Sequence, residues 1–501
     1  MPDSDSDPNP SDDPFVTADP HVLDTLPSLS TLLTSLKRST LSIHNRLTSI
    51  HSDAQFVLRA ASSGSCSSRP LVANERCGSW YLPPAHKRAS AYFKSTDGHE
   101  RAWKFSTRRL NMHLVDMIEE NDGWVEEMGM PDALSTTIPI WCTVLNRVLL
   151  PAHPLSAQLF LPPHLPPSTH AQITALIPSF VQSLRELKLS SLPVLTKPLR
   201  PLWITQDSTL LPAPSSSSSD DDDNENQHKQ HQGIIFHDFR PVICLTASRR
   251  VLGSETDSQG YIQGAADDTE NWACGLTAPL FWDNVETLLS AADADLPDLI
   301  ASLIRKDKAD RETDTESRTQ ERVQLTPVIS VCPLPLPPPL QTSTRCTHDD
   351  DDDDDNAVIA CHIALTEAVT PRDTWVQASN YMHVGLGKHK TASRNLRLAL
   401  PDICAFVSAF LQEGHASGQD ARRRVVVACE SGRDTSVGTA LALSCYLFDQ
   451  QGQFRVPDAS LGFTKSYVKV KLGSIMTAYP AGNPSRQTLQ SVNSFLMDWT
   501  R

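Results

Sequence analysis

The stretch RRRVVVACESGRDTSVGTALALSCYLFDQ, residues 422–450, constrains the fold more than any other. Val425, Val426 and Val427 form a short buried-strand pattern, and Cys429 to Gly438 are mostly small or polar. Val437, Ala440, Leu441, Ser444, Cys445 and Phe448 then recur at helical spacing. A strand that ends in a tight loop and turns into a helix aims the unpaired N–H groups of the first helical turn at that loop. Such a cradle suits a phosphate. Gly432 permits an unusual φ, and Ser436 is expected to cap the helix.

This stretch resembles the Cys-x5-Arg-Ser loop of dual-specificity phosphatases. NLRLALPDICAFVSAFLQEGH before it and YPAGNPSRQTLQSVNSFLMDW after it resemble the helices that flank that loop. The departures bear on function. Thr435 stands where the arginine belongs, and the upstream GLGKHK segment offers no aspartate acid. Without the arginine a thiolate lacks its cationic partner and the transition state its bidentate clamp. Without an acid the leaving alkoxide departs unprotonated. The loop therefore predicts phosphate binding without hydrolysis, by Ser431, Gly432, Arg433, Asp434, Thr435 and Ser436. Arg433 would supply the charge, and Cys429 would be a structural remnant.

A chain of 501 residues exceeds a single core, which stops growing at roughly 250–300 residues. Residues 1–20 read as a disordered tail. An amphipathic helix is expected from Ser28, through Leu29, Leu32, Leu33, Leu36, Ile43, Leu47 and Ile50. Residues 64–83 read as loop and strand, and a second helix is expected over 106–119. Apolar runs at 234–236, 241–248, 328–334 and 358–365 read as strands, and 284–305 as helical. Strands alternating with helices predict α/β architecture. The expected organisation is a family-specific N-terminal α/β domain over 21–375 and a dual-specificity-phosphatase-like α/β domain over 376–501. Insertions near 215–232 and 340–356 interrupt the first; neither composition can pack a core.

The net charge of −15 argues against a nucleic-acid binder only at first sight. Asp220–Asp223, Asp349–Asp355 and the tail residues Asp3, Asp5, Asp7, Asp12 and Asp13 carry the excess, so the remainder is near neutral. Steering depends on where charge lies as well as on its total. No apolar run approaches the ~20 residues that span a bilayer. The acidic, Pro-rich start predicts neither a secretory nor a mitochondrial signal. The 11 cysteines include no C-x-x-C pair and no zinc spacing, so they read as free thiols of a reducing compartment. A cytoplasmic protein with no membrane contact and no obligate protein partner is expected.

Five further segments mix Gly, charged and aromatic residues beyond what packing requires: ANERCGSWY, YFKSTDGH, FSTRRLNMH, PDALSTTIPIWCTVLNR and GYIQGAADDTENWACGL. Together with the C-terminal loop they resemble the initiator-tRNA 2′-O-ribosyl phosphate transferases of fungi and plants, over most of residues 28–501. One departure stands before Pro131, where the family's basic Asp-Ser-Thr-Arg-Arg-Gly-Lys segment is absent. The resemblance implies transfer of 5-phosphoribose from phosphoribosyl pyrophosphate to the 2′-hydroxyl of adenosine 64 in initiator tRNA, which keeps that tRNA out of elongation. Alternatives are a cysteine-type phosphatase and a non-catalytic tRNA-binding protein.

Displacement at an anomeric carbon needs a phosphate anchor, a metal-assisted pyrophosphate leaving group and a base. The usual phosphoribosyltransferase signature, two acids and a Gly-Thr loop, is missing. Asp97 is the candidate base, with Lys94 and His99 beside it in sequence. Arg76, Arg108 and Arg109 are candidate contacts to tRNA or donor, although neighbours on a helix cannot both face one ligand. Asp267 and Asp268, supported by Glu270, are candidates for Mg²⁺. Trp80, Trp103, Trp141 and Trp272 read as core.

Overall fold

The computed structural model describes residues 41–63, 66–93, 102–128, 133–189, 192–208, 236–253, 255–313, 322–336, 359–416, 423–456 and 462–498. The tail, the expected helix start at Ser28, both acidic insertions and residues 129–132 around Pro131 lie outside them, as do Ile234 and Ile235.

The first sheet is wholly parallel, in the order β2-β1-β3-β5-β4, from β1 (Leu71–Asn74), β2 (Lys87–Ala91), β3 (Trp124–Met128), β4 (Leu199–Ile204) and β5 (Arg240–Thr246). Successive strand side chains point to opposite faces, and both faces here are apolar. Val72, Trp124, Val242 and Cys244 pack on one side with Trp141 and Ile138 of helix α3 (Ile138–Leu149), and with α2 (His113–Glu120) and α4 (Pro167–Arg185). Ala73, Val125, Ile243 and Leu245 pack on the other with Leu47, Ile50 and Val57 of α1 (Ile43–Ala61), and with Leu296 and Ile300 of α5 (Leu296–Thr313). Burial on both sides explains why VICL carries no alternation. The aromatic residues read as core are core: Trp80, Trp141 and Trp272 are buried, and the partly buried Trp103 packs against the cluster that holds Trp141.

The second sheet runs β6-β7-β11-β8-β10-β9, from β6 (Val323–Gln324), β7 (Ile329–Pro333), β8 (Ile359–Thr366), β9 (Val376–Ala378), β10 (Tyr381–Gly385) and β11 (Arg423–Cys429). Its four central strands are parallel and its edges antiparallel. Helices α6 (His389–Ala416), α7 (Thr435–Tyr446), α8 (Lys465–Ala478) and α9 (Arg486–Asp498) complete this unit. α7 is buried from Ser436 to Tyr446, hence its apolar character all round. Three strands come from 323–366, so a division at 375/376 cuts through this sheet. A long acidic segment separates β7 from β8 in the sequence, and both pair with β11, which comes later still.

The helices expected around 284–305 are present as Val285–Ser290 and α5, parted where Ala291 is extended. One helix expectation needs correction. The helix expected over 106–119 begins only at His113. Asn111 stands before it at φ 51°, a conformation Asn tolerates, and its Oδ1 accepts from Tyr92 N at 3.0 Å.

The two units meet where residues 102–112 cross to the turn between α8 and α9. Arg108 Nη2 donates to Pro484 O at 2.7 Å, and Arg109 Nη1 donates to Pro480 O at 3.0 Å and Gly482 O at 2.6 Å. Arg109 Nη2 also donates to Asn483 Oδ1, and its guanidinium lies 5.3 Å from the Tyr92 ring centre. Replacing Arg109 with Ala removes charge-assisted hydrogen bonds worth roughly 1.5–3 kcal/mol each when well formed, less where solvent competes. The variant should unfold at lower temperature, and the Asn483 amide should exchange hydrogen faster; unchanged exchange there would contradict the fastening role.

Beyond the ends of β4 and β5, Asp53 of α1 is buried and receives hydrogen bonds from Gln206 Nε2 and Tyr261 OH, both at 2.9 Å, and from Ser248 Oγ at 2.9 Å. Burial pushes its carboxyl up to about 7, although these three donors pull the other way. The folded value exceeds the unfolded one of about 3.9. Its stabilising contribution is therefore complete below the unfolded value and is lost as pH rises through about 7. Melting curves between about pH 5 and about pH 8 should show wild type losing stability relative to Asp53→Asn. Parallel curves would contradict it.

Candidate functional site

The carboxyl ends of the parallel strands of both sheets open on one cleft of about 990 Å³. In the first sheet, β1 leads to β2 on one side while β3 leads away on the other. Open parallel sheets bind ligands outside the carboxyl ends at such a switch point. Asn74, Glu75 and Arg76 follow β1 into the cleft, and Tyr92 and Phe93 follow β2. The second unit contributes Ser431, Arg433 and Asp434 after β11, and the turn from Ala481 to Arg486.

Five arginines therefore share one cleft: Arg76, Arg108, Arg109, Arg433 and Arg486. Burial and the neighbouring Arg108 both lower the pKa of Arg109, a sign of crowded positive charge. Arg108 and Arg109 face the same way because their segment is not helical. Their guanidiniums are engaged with backbone carbonyls of 480–484, so they hold the wall of the cleft. Arg486 was not singled out from sequence; its position as the first residue of α9, after a Gly-Asn-Pro turn, is the only available signal.

The phosphatase-like loop divides its residues between two openings. Arg433 is exposed and lines the cleft, with its carbonyl accepting from Asn483 N at 2.7 Å. Asp434 precedes α7 without capping it. Its Oδ1 instead accepts from Ser485 N at 2.8 Å and Thr488 Oγ1 at 2.7 Å, tying the loop to α9. Gly432, at φ 66°, is pressed onto the neighbouring strand: a Cβ there would stand 2.7 Å from Pro333 N and 2.8 Å from Cys332 C. Ser436 lies inside the first turn of α7, its hydroxyl 3.1 Å from Cys429 Sγ, so it serves the thiol and not the cap.

Cys429 sits in a smaller pocket of about 210 Å³, with Thr366, Glu367, Ser393, Glu430 and Thr435 among its lining. Burial raises its pKa. The hydroxyls of Ser436 and Thr435 and the amides of Ser436 and Asp434 outweigh that and hold it below the ordinary thiol value. Glu367, Glu430 and Asp434 line this pocket, and no Lys or Arg does among the described residues. The cradle keeps its thiol-stabilising geometry and is lined by acids, one of which, Glu367, pairs with Lys388 at 3.2 Å. Of the six loop residues expected to surround one phosphate, Arg433 lines the cleft, Thr435 the smaller pocket, and Ser431 and Asp434 both.

Asp267, Asp268 and Glu270 belong to neither opening. Asp268, at φ 49°, precedes the single turn Thr269–Trp272, and Trp272 Nε1 donates to Asp267 O at 2.9 Å. The nearby cation is Arg46, which donates to Ala265 O at 2.9 Å and lies over the Trp272 ring. Among the described residues no three His, Cys, Asp or Glu side chains gather as a metal site. Lys94, Asp97 and His99 lie outside the described residues, immediately after Phe93 in sequence. The ten described cysteines are all free thiols, and no described helix is long and apolar enough to cross a membrane.

Comparison with known proteins matches the Rit1 N-terminal domain over residues 36–305 and the Rit1 DUSP-like domain over 380–496. The tRNA A64-2′-O-ribosylphosphate transferase of Saccharomyces cerevisiae is 31% identical over 94% of this chain and 95% of its own length. An uncharacterized protein of Schizosaccharomyces pombe is 39% identical over 52% of this chain and 56% of its own. The crystal structure of human DUSP28 covers 35% of this chain and 92% of its own, with 13% identity and a TM-score of 0.21. With one family model spanning more than half the chain and a relative aligned along nearly all of it, this chain belongs to the Rit1 family.

Proposed function

We infer that the chain transfers a 5-phosphoribosyl group to the 2′-hydroxyl of adenosine 64 in initiator tRNA, with phosphoribosyl pyrophosphate as donor and the reaction seated in the arginine cleft. The observation that carries the site is the meeting of five arginines between the carboxyl edges of two parallel sheets. The relative along nearly the whole chain bears the name of that transferase. Both substrates are polyanions, and a cleft shared by two units admits a small donor and the edge of an RNA stem together. A T stem in A-form presents its 2′-hydroxyls in a shallow minor groove, so recognition by shape suffices and no base need leave its stack.

In the reaction the 2′-oxygen bonds to the anomeric carbon as the bond from that carbon to pyrophosphate breaks. The hydroxyl proton passes to a base, and pyrophosphate leaves with the bonding pair. Arg76, Arg433 and Arg486 present guanidiniums to the phosphate oxygens, while Arg108 and Arg109 hold the cleft wall. Mg²⁺ is placed with the pyrophosphate, since magnesium is commonly carried by substrate phosphates. Asp97, with Lys94 and His99, stays the proposed base, just beyond the cleft residue Phe93. The compartment proposed is the cytoplasm.

The phosphatase alternative is disfavoured by the small pocket itself. A phosphate dianion entering it meets Glu430, Asp434 and a thiol held toward its anion, with no described Lys or Arg lining the pocket in return; the nearby Lys388 is already paired with Glu367.

The direct test is incubation with radiolabelled phosphoribosyl pyrophosphate and Mg²⁺, comparing initiator with elongator tRNA. Label should enter initiator tRNA; stripping of phosphate from simple aryl esters without label transfer would sink the reading. Arg433→Ala should raise the donor KM about 10- to 100-fold, the range for one lost hydrogen bond to a charged group, and change tRNA affinity less. Equal loss for both substrates would contradict the assignment. Cys429→Ser should leave transfer within a few-fold of wild type. Abolished transfer in a folded Cys429→Ser protein would restore the thiol as a nucleophile.

A further inference from the structure

The floor of the cleft holds one unmatched polar atom. Asn74 closes β1, is 1% exposed, and lines the cleft. Its Nδ2 donates to Phe93 O at 3.1 Å. Only the amide nitrogen can donate to a carbonyl, so this bond fixes which arm is which. The other arm, Oδ1, is buried and has no hydrogen-bond partner among the described residues. A buried acceptor without a donor lowers stability, and native proteins keep few of them. One at the carboxyl end of the first strand, beside the switch point, points to a ligand that brings the missing donor.

The neighbourhood narrows that ligand. Arg76, Arg108, Arg109, Arg433 and Arg486 make the cleft attractive to anions. An ionised phosphate oxygen has no proton to offer Oδ1, and its lone pairs repel those of the amide. On a phosphorylated pentose the groups that can donate are the ring hydroxyls. An amide oxygen is too weak a base to take the proton, so its part is to orient.

Resting on the transferase reading above, we propose that Asn74 Oδ1 accepts a hydrogen bond from a ribose hydroxyl of a bound substrate and thereby sets the angle of the pentose in the cleft. The hydroxyl belongs to the donor sugar or to a ribose of the tRNA acceptor; the chemistry is shared, and the test separates them.

The test compares full-length wild type with Asn74→Ala in single-turnover transfer. One arm uses donor analogues lacking the 2- or the 3-hydroxyl. The other uses initiator tRNA with single 2′-deoxy substitutions at nucleotides flanking the acceptor adenosine. Removing the partner hydroxyl should slow wild type roughly threefold to tenfold, the range for one neutral hydrogen bond, and should slow Asn74→Ala no further. Non-additivity in the first arm assigns the hydroxyl to the donor, and in the second to the acceptor. If wild type transfers but every deletion slows both proteins equally, the proposal is overturned. If wild type fails to transfer at all, the transferase reading has failed instead. Should Asn74→Ala not fold, Asn74→Ser is put through the same comparison, with thermal unfolding as the control.

Discussion

The turn from Pro480 to Pro484 is gripped from two sides, and the cleft exists because of that grip. Arg108 and Arg109 reach it from the first unit, through backbone carbonyls. From the second unit Asn483 N bonds Arg433 O, and Asp434 takes Ser485 N and Thr488. The arginine proposed to meet phosphate is thus held at its own backbone by the turn that the other unit fastens. Backbone carbonyls are suitable partners here. They satisfy guanidinium donors without adding negative charge, so the fastening leaves the field of the cleft positive.

The same economy appears in the loop. A cysteine phosphatase places its arginine inside the cradle, over the thiolate. Here Thr435 occupies that position, and its hydroxyl joins Ser436 in stabilising Cys429. The sulfur keeps donors, so the loop keeps its shape. Gly432 seals that shape against Cys332 and Pro333, where no Cβ fits. Positive charge has moved one strand-end outward, to Arg433 on the cleft side. A loop whose geometry is retained and whose interior charge is inverted is better explained as scaffold than as catalyst.

The local patterns were legible where one segment contains its own reason. VVVACESGRDTSVG announces strand, loop and helix because apolar run, small residues and helical spacing follow one another. PVICLTAS reads as a buried strand for the same cause. What stayed hidden depends on contacts far apart in the chain. Nothing near Arg108 and Arg109 says that Asn111 takes a positive φ and halts the helix, or that a turn some hundreds of residues later supplies carbonyls. Nor does the segment around Asp267 and Asp268 announce that Arg46 of the first helix lies beside them. Asn74 belongs to the distinctive segment ANERCGSWY but has no role legible there, because an asparagine becomes informative only when one arm is engaged and the other is stranded.

A transferase of this kind must hold two polyanions together and keep water from the activated sugar. Charge alone solves only the first problem, since five guanidiniums attract phosphate wherever it sits. Alignment has to come from groups that cannot bind phosphate, and these are neutral and directional. In this cleft Asn74 Oδ1 has those properties: it is buried, fixed in orientation by Phe93 O, and indifferent to anions. If arginines set affinity and a stranded amide sets angle, variants of the two classes should separate cleanly. Loss of a guanidinium should appear mainly in substrate capture, and loss of the amide mainly in the rate from the bound complex.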